Sequence, residues 1–273
     1  MPEVGEFVWC AVFSPNLSDG NQTVVIRLQS WPERRVLGEI AQFIGHETTF
    51  VVFEQGKLEM RWFAGQNEVP LCGHCALAAA SVFESALKCD ELLEVSNARG
   101  KLWLARAGDE PHIVFPGARL TEVPAENFKL GVPLVRAFDA GRDYLLILED
   151  EYALKNFNPQ AAGVQALDKI GCIISSPSAS STAAFRFFAP RVGIQEDRAS
   201  GSVIPALVAY WGGDRSGSYV FSQESGPNIQ IQARQFGDRI GVSGEVLRFA
   251  SGKLGRIPVT SSLASSFTFQ SAR

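Results

Sequence analysis

One pattern of strand, glycine turn and apolar stretch occurs twice in this sequence, once in each half of the chain. The first copy reads RWFA at residues 61–64 and, after a spacer, CGH at residues 72–74. The second copy reads RFFA at residues 186–189 and SGS at residues 200–202. The copies lie 125 to 128 residues apart in a chain of 273. A unit repeated at half the chain length indicates two related domains, the alternative being chance similarity of two strand–turn–helix units.

The stretch that follows each glycine predicts a buried helix. Residues 73–87 are almost uncharged and apolar on every side, which is typical of a helix at the centre of a domain. Residues 202–211 predict a second apolar helix, and residues 33–44 predict an amphipathic one. Runs of β-branched and aromatic residues predict strands at residues 7–13, 23–29, 48–54, 58–63, 92–96, 101–106, 112–115, 134–139, 144–148, 170–175, 185–188, 218–222, 229–233, 239–243 and 246–250, with the tail at 261–273 either a strand or frayed.

Charge and composition argue against several classes of function. The net charge is −4 and no basic run exceeds two residues, so the chain lacks the basic face of a nucleic-acid binder. No apolar stretch approaches the ~20 residues of a membrane helix. The first residues lack the basic region of a signal peptide, so we expect a cytoplasmic protein without a membrane partner. The five cysteines are an odd and sparse set, which predicts free thiols.

The two glycine turns suggest a binding site for a small carboxylate. Each turn opens a helix whose first amides lack partners within the helix, and those amides form an anion site together with the helix dipole. Two related domains facing each other would direct the amides at Gly73 and Gly201 into one cleft. A carboxylate substrate has an adjacent carbon whose proton can be abstracted, and proton transfer needs no cofactor.

Five short segments, taken in order, resemble one known family. They read GNQTVV at residues 20–25, GHETTFV at 45–51, EVPLCGH at 68–74, EDRASGS at 196–202 and VSGEV at 242–246. Together they resemble the phenazine-biosynthesis F (PhzF-like) proteins, from residue 13 to about residue 252. The resemblance implies an α+β fold of two pseudo-symmetric, diaminopimelate epimerase-like domains, each a curved, mostly antiparallel sheet around a central helix. We place the domains at residues 1–118 and 119–273, with a last strand that can return to the first domain.

The resemblance also implies a phenazine biosynthesis-like activity and a site in the cleft between the domains. A carboxylate at the position of Glu47 shuttles a proton on a cyclic dihydro-hydroxy-anthranilate, which gives isomerisation without a metal or coenzyme. His74, Asp197 and Ser202 are implied to position the substrate or to act in acid–base chemistry. Relatives also suggest a homodimer. Arg198 stands where the family has proline, so we expect a substrate that differs from the phenazine precursor.

Each implied site residue has a plainer interpretation. The apolar neighbours of Glu47 predict a raised pKa, but it could be a solvated loop residue or an ion-pair partner. His74 could instead bond local backbone, and Asp197 could make an Asx turn. Ser202 is an anion ligand, the N-cap of the second helix, or both. His112 is interpreted as lying on the surface of a strand.

The cysteines leave two further enzymatic alternatives open. Cys72 and Ser200 precede the paired glycines, where epimerase and racemase relatives have two cysteines. A serine hydroxyl is too weak an acid and base to replace a thiol, so a one-thiol epimerase or dehydratase remains. The segment CGHC at residues 72–75 also matches protein disulfide isomerase sites, although Leu71 stands where that family has tryptophan. We expect no metal, because no second ligand pair follows at a suitable spacing.

The third class of function is a non-catalytic protein that binds a small molecule in the same cleft. The presence of Glu47, His74 and Asp197 together favours catalysis over this alternative. We therefore predict a cofactor-independent isomerase of a small cyclic or amino carboxylate, with amides at Gly73 and Gly201 holding the carboxylate and Cys72 and Ser200 beside it.

Overall fold

The computed structural model describes residues 5–54, 57–88, 91–97, 100–160, 163–213, 217–227 and 229–255. The predicted end at residues 261–273 and Cys89 lie outside these ranges. The helices are α1 (Arg34–Ile44), α2 (Gly73–Val82), α3 (Glu151–Lys155) and α4 (Ile204–Trp211). The strands are β1 (Glu6–Val12), β2 (Asn21–Leu28), β3 (Glu47–Glu54), β4 (Lys57–Ala64), β5 (Asn67–Val69), β6 (Leu93–Asn97), β7 (Gly100–Ala107), β8 (Glu110–Pro116), β9 (Thr121–Val123), β10 (Arg136–Asp139), β11 (Asp143–Ile147), β12 (Gly171–Ser176), β13 (Ala183–Ala189), β14 (Ile194–Asp197), β15 (Ser218–Gln223), β16 (Gln230–Phe236), β17 (Arg239–Ser243) and β18 (Val246–Lys253).

The two halves of the chain repeat one order of strands. In the first half β1, β2, β3, β4, β6, β7 and β8 lie side by side, parallel at β2–β3 and β4–β6 and antiparallel elsewhere. In the second half β10, β11, β12, β13, β15, β16 and β17 repeat this order, parallel at β11–β12 and β13–β15. The short strands β5 and β14 pair with β4 and β13. The repeat predicted from the sequence is therefore present in the strand pairing, and the fold is α+β with a mixed, mostly antiparallel sheet.

Two further strand pairs link the first and second halves of the chain. Strand β8 pairs antiparallel with β17, which joins the sheets of the two halves. Strand β18 pairs antiparallel with β1, so the last described strand returns to the first half of the chain. In the second half, β9 pairs antiparallel with β10, in the position equivalent to that of β18 beside β1.

The buried helix α2 is the centre of the first half. Nine of its ten residues are buried, and the helix contacts β1, β2, β3 and β8. Its predicted continuation to residue 87 is wrong, because the helix ends at Val82 and a 3-10 turn occupies Glu84–Ala86. The equivalent helix α4 begins at Ile204, after a 3-10 turn at Gly201–Val203, and has a proline in its first turn, where a missing amide proton costs no hydrogen bond.

Three apolar clusters stabilise the fold within the described residues. The first extends across both halves and contains Leu77 of α2 and Phe185 of β13. The second belongs to the second half, and the third packs the amphipathic helix α1 against β2 and β3. Among the described helices, none has the length and apolar character that a membrane span requires.

His112 corrects one prediction. It lies in β8 but is only 2% exposed, so its interpretation as a surface residue is wrong. Its ring packs edge-on against Phe236, and Nδ1 lies 2.9 Å from the carbonyl oxygen of Glu110. Burial lowers the pKa of His112. The histidine is therefore a neutral core residue whose polar atom is satisfied by backbone.

Candidate active site

Glu47 and His74 form a close pair at the start of α2. Helix α1 ends at Ile44, and the cap residue Gly45 has a left-handed φ of 77°. The chain turns there into β3, where Glu47 is the first residue. His74 is the second residue of α2. Its Nε2 lies 3.1 Å from Oε2 of Glu47. The interpretation of His74 as a residue that bonds local backbone is therefore wrong, since its ring contacts a carboxylate from another element.

The charges of the pair stabilise each other. Burial raises the pKa of Glu47, but the positive charge and hydrogen bond of His74 outweigh burial, so the pKa lies below its ordinary value. The predicted raised pKa of Glu47 is therefore wrong. Burial lowers the pKa of His74, but Glu47 and, more weakly, Asp197 outweigh it and raise the pKa. Both shifts favour the charged forms, and the lowered pKa of Glu47 keeps its carboxylate available as a base near neutral pH.

Hydrogen bonds from three directions hold the second glycine turn. The side chain of Asp197 accepts from Asn21 Nδ2 at 3.1 Å and from Ser200 Oγ at 2.7 Å. Asn21 Nδ2 also donates to the carbonyl oxygen of Ala199 at 3.0 Å. The backbone amide of Ser200 donates to Gln223 Oε1 at 2.7 Å. Asn21 belongs to the first half of the chain, so these bonds fix the turn of the second half relative to the first.

The two glycine turns meet directly. A Cβ atom built on Gly73 would lie 3.3 Å from the backbone nitrogen of Ser202 and 3.7 Å from Cα of Gly201. A Cβ atom on Gly201 would lie 3.0 Å from the ring of Phe13. Both positions therefore have little room for a side chain larger than that of glycine. The starts of the two helical segments are in contact, which agrees with the predicted facing of Gly73 and Gly201.

Arg142 reaches Ser202 and was not predicted from the sequence. Its Nη2 donates to Ser202 Oγ at 3.1 Å, and Asp143 holds the guanidinium at 2.6 Å. Ser202 lies inside the 3-10 turn and is not an N-cap, so that interpretation is wrong. Ser202 lies 60 positions from Arg142, and Ser200 lies 23 positions from Gln223, so no local pattern marks either contact. Arg198 donates to the carbonyl oxygen of Ser18 at 2.8 Å.

Cys72 and Cys75 form a disulfide, so the expectation of free thiols is wrong for these two. The helix start brings their Cα atoms to 5.2 Å, within the range that a disulfide spans. Cys10 and Cys172 are free, as predicted, and both are buried. Burial raises the pKa of Cys10 to about 12, which makes its thiol unreactive.

Together the fold and the site define a class of protein. Two halves with the same strand pairing bring two glycine turns together beside the pair of Glu47 and His74, an arrangement of the diaminopimelate epimerase-like type. The PhzC-PhzF family model, described as phenazine biosynthesis-like protein, matches residues 10–115 and 116–251. The chain belongs to this family.

Similar proteins agree with this assignment. An uncharacterized isomerase of Pseudomonas aeruginosa is 32% identical over 259 residues, which cover 91% of this chain and 98% of the relative. The crystal structure of a PhzF-family protein from Enterococcus faecalis superposes with a TM-score of 0.80 at 26% identity, over 92% of this chain and 99% of the other. A probable proline racemase from Agrobacterium radiobacter has a TM-score of 0.57 at 8% identity, over 94% of each chain, and shares the fold alone. The chain is an enzyme of the isomerase class.

Proposed function

We propose that the protein is a cofactor-independent isomerase, which moves a proton within a small cyclic or amino carboxylate bound beside the two glycine turns where they meet. The observation that carries this proposal is the pair of Glu47 and His74, whose atoms lie 3.1 Å apart at the start of α2. The turn at Gly201–Val203 faces the same helix start. The proposed base and the proposed anion site therefore lie beside each other, as abstraction of a proton next to a carboxylate requires.

Glu47 is the proton carrier in this proposal. Its side chain is 36% exposed, so a substrate can reach it, whereas the side chain of His74 is only 9% exposed. Ionised Glu47 takes a proton from a carbon of the substrate and returns it to another carbon of the same molecule. His74 keeps the carboxylate oriented and ionised between turnovers. The proton balance closes within the substrate, and no group is oxidised or reduced.

The remaining residues hold the substrate. The amides at Gly73 and Gly201 and the hydroxyl of Ser202 would bind the carboxylate, and Arg142 brings a positive charge to the same hydroxyl at 3.1 Å. Asp197 raises the pKa of His74 and keeps the second turn in place, and it would accept a hydrogen bond from an amino or hydroxyl group of the substrate.

The disulfide favours a thiol–disulfide oxidoreductase as the alternative function, but the burial of its two cysteines argues against that activity. A thiol–disulfide oxidoreductase needs an exposed sulfur for attack, and Cys72 and Cys75 are 5% and 0% exposed. In the disulfide form Cys72 also has no thiolate that could serve as the base of a one-thiol epimerase. These activities are therefore not proposed for the form that the structure shows.

The test is hydrogen exchange at carbon. Wild-type protein is incubated in D₂O with a panel of cyclic and amino carboxylates, and loss of C–H signals is followed by NMR. Glu47→Gln keeps the shape of the side chain and should slow exchange by about 10²–10⁴-fold, because it removes a positioned base. The matched control Glu122→Gln removes a surface carboxylate paired with Arg136 and should keep the wild-type rate. Full exchange in Glu47→Gln would contradict the mechanism, and tight binding without exchange would favour a binding protein.

The resemblance to PhzF-like proteins suggests a homodimer, and the sequence pattern predicts a cytoplasmic location; both stay predictions. Size-exclusion chromatography with light scattering should give twice the chain mass of 29.7 kDa. A mass of one chain at the concentrations used for the exchange assay would contradict the dimer.

A further inference from the structure

Four side chains with metal-ligating atoms meet at the start of α2. One ligand atom from each of Glu47, Cys72, His74 and Cys75 lies within 4.8 Å of all the others, and this is the one such group among the described residues. The sequence predicts no metal, because a second ligand pair is missing at a suitable spacing along the chain. The fold supplies that second pair, since β3 brings Glu47 to the turn that already holds His74.

The distances from His74 to the two sulfurs match those of a tetrahedral metal site, and the distance to Glu47 is slightly shorter. Its Nε2 lies 3.7 Å from Cys72 Sγ, 3.6 Å from Cys75 Sγ and 3.1 Å from Glu47 Oε2. Zinc bonds of ~2.3 Å to sulfur and ~2.0–2.2 Å to nitrogen and oxygen place tetrahedral ligands about 3.4–3.8 Å apart. Small shifts around His74 therefore suffice, provided that the bond between the two sulfurs is first broken.

The surroundings also fit a bound dication. Two thiolates and one carboxylate would exceed the charge of a divalent ion by one, and the amide end of α2 partly offsets this negative charge. The hydroxyl of Thr23 lies 3.4 Å from Cys75 Sγ and can orient that sulfur as an outer partner. The cysteines and His74 are buried, while the partly exposed side chain of Glu47 marks the entry path for an ion.

We propose that the reduced protein binds one thiophilic divalent cation of the zinc type through Cys72, Cys75, His74 and Glu47. The disulfide and the metal exclude each other, because both use the two sulfurs. The metal would also occupy the proton-transfer pair, so it would inhibit the isomerase. That inhibition rests on the proposed function, whereas the metal site does not.

The steps balance with a phosphine as reductant. The phosphine takes up the oxygen of one water molecule and is oxidised to its oxide, while the disulfide gains two electrons and the two protons of the water to give two thiols. Binding of the cation then releases the two thiol protons. Metal uptake should therefore acidify a weakly buffered solution.

Cobalt(II) is a direct probe of this site. We expect one equivalent of Co²⁺ to give thiolate-to-cobalt charge-transfer and tetrahedral ligand-field bands in the phosphine-reduced wild type, and Zn²⁺ to remove both. The disulfide form should give neither band. Cys75→Ser should weaken cobalt binding by at least about 100-fold, because even outer-shell partners contribute 10–100-fold. Cys172→Ala, which changes a buried thiol outside the cluster, should bind like wild type.

Glu47→Gln keeps both thiols and provides a second variant if Cys75→Ser does not fold. It should bind cobalt more weakly and change the ligand-field bands. The proposal is wrong if reduced wild type gives no thiolate–cobalt band, or if Cys75→Ser and Glu47→Gln both bind like wild type. A cobalt spectrum in protein that catalyses no exchange would support the metal site and contradict only the proposed isomerisation.

Discussion

A side chain at Gly73 would press against backbone from the other half of the chain. Its Cβ atom would lie 3.3 Å from the nitrogen of Ser202, so one of the two helix starts must move by a few tenths of an ångström. We expect Gly73→Ala to lower kcat/KM for the exchange reaction by about tenfold, because small displacements of positioning groups are costly in catalysis. Steady-state exchange kinetics and a thermal melt of the same sample measure this.

Gly255→Ala is the matched control, because a Cβ atom there meets nothing within 4 Å. It should leave the exchange kinetics unchanged. Wild-type kinetics in Gly73→Ala would show that the contact between the two turns does not position the substrate.

Arg142 is expected to set the affinity for an anionic substrate. Its guanidinium is 3.1 Å from Ser202 Oγ, and Arg142→Ala removes a charged hydrogen-bond donor from the carboxylate site. A hydrogen bond to a charged group contributes ~1.5–3 kcal/mol, so KM should rise about 10–100-fold with a smaller change in kcat. Arg142→Lys should restore part of the affinity, since it keeps the charge without the planar fork. The control is Arg136→Ala, which removes the partner of Glu122. An unchanged KM in Arg142→Ala would contradict a role of Arg142 in substrate affinity.

At the level of single residues, the sequence indicates the centre of the site but not its surroundings. The glycine repeat and the resemblance predict Glu47, His74 and the facing of the two turns. The pKa of Glu47 could not be predicted, because its direction depends on a ring brought in from α2. The same holds for Asn21, whose bond to Asp197 joins residues 176 positions apart.

Two ion pairs in equivalent places show the repeat at the level of strands. Arg61 of β4 makes two hydrogen bonds of 2.7 Å to Glu68 of β5. Arg186 of β13 makes bonds of 2.7 and 2.8 Å to Glu196 of β14. These arginines begin the RWFA and RFFA segments that first indicated the repeat. Each pair fixes a short strand just before a glycine turn, so these arginines stabilise the segments that lead into the site.

Loss of either carboxylate should therefore destabilise the fold in a pH-dependent manner. The hydrogen bond from Arg61 lowers the pKa of Glu68, and for Glu196 burial raises the pKa but Arg186 outweighs it. A carboxyl group whose pKa is lowered in the folded state stabilises the fold at pH values above its ordinary pKa of ~4.3. This stabilisation is lost as the pH falls through the pKa of the folded state. Glu68→Gln and Glu196→Gln should each lower the free energy of unfolding by ~1–2 kcal/mol at pH 7.

Urea unfolding at pH 7 and below pH 4 measures these differences, which should shrink at the lower pH. Glu122→Gln is the control, because Glu122 and Arg136 are both largely exposed and such pairs contribute ~0–1 kcal/mol. A pH-independent effect in Glu196→Gln would mean that lost packing, rather than lost charge, causes the destabilisation.

Secondary structure was predictable where the elements are long and regular. The predicted long strands and the amphipathic helix are present with shifts of one to three residues at most ends. The short elements β5, β9, β14 and α3 were not predicted, because segments of three to five residues have too few positions for a periodic pattern. The end of α2 was also misplaced, since the apolar residues after Val82 continue into a 3-10 turn.

At the scale of the whole molecule, the two halves are linked more closely than two separate domains. Strand β18 completes the sheet of the first half at β1, and β17 pairs with β8 across the boundary that the sequence predicts near residue 118. One apolar cluster contains residues of both halves, including Leu77 and Phe185. If one half were folded without the other, part of this cluster and an unpaired strand edge would be exposed to water.

We therefore expect the halves to unfold together although the family model matches them as two units. Strands β3 and β12 occupy equivalent positions, and each is paired on both sides. In native-state hydrogen exchange, their slowest amides should share one opening free energy within ~0.5–1 kcal/mol, equal to that of global unfolding. An opening free energy lower by ~2 kcal/mol or more in one strand would contradict this, since that half would then open while the other stays folded. Because the site uses Glu47 from one half and Ser202 from the other, cooperative unfolding would also mean that activity is lost in a single transition.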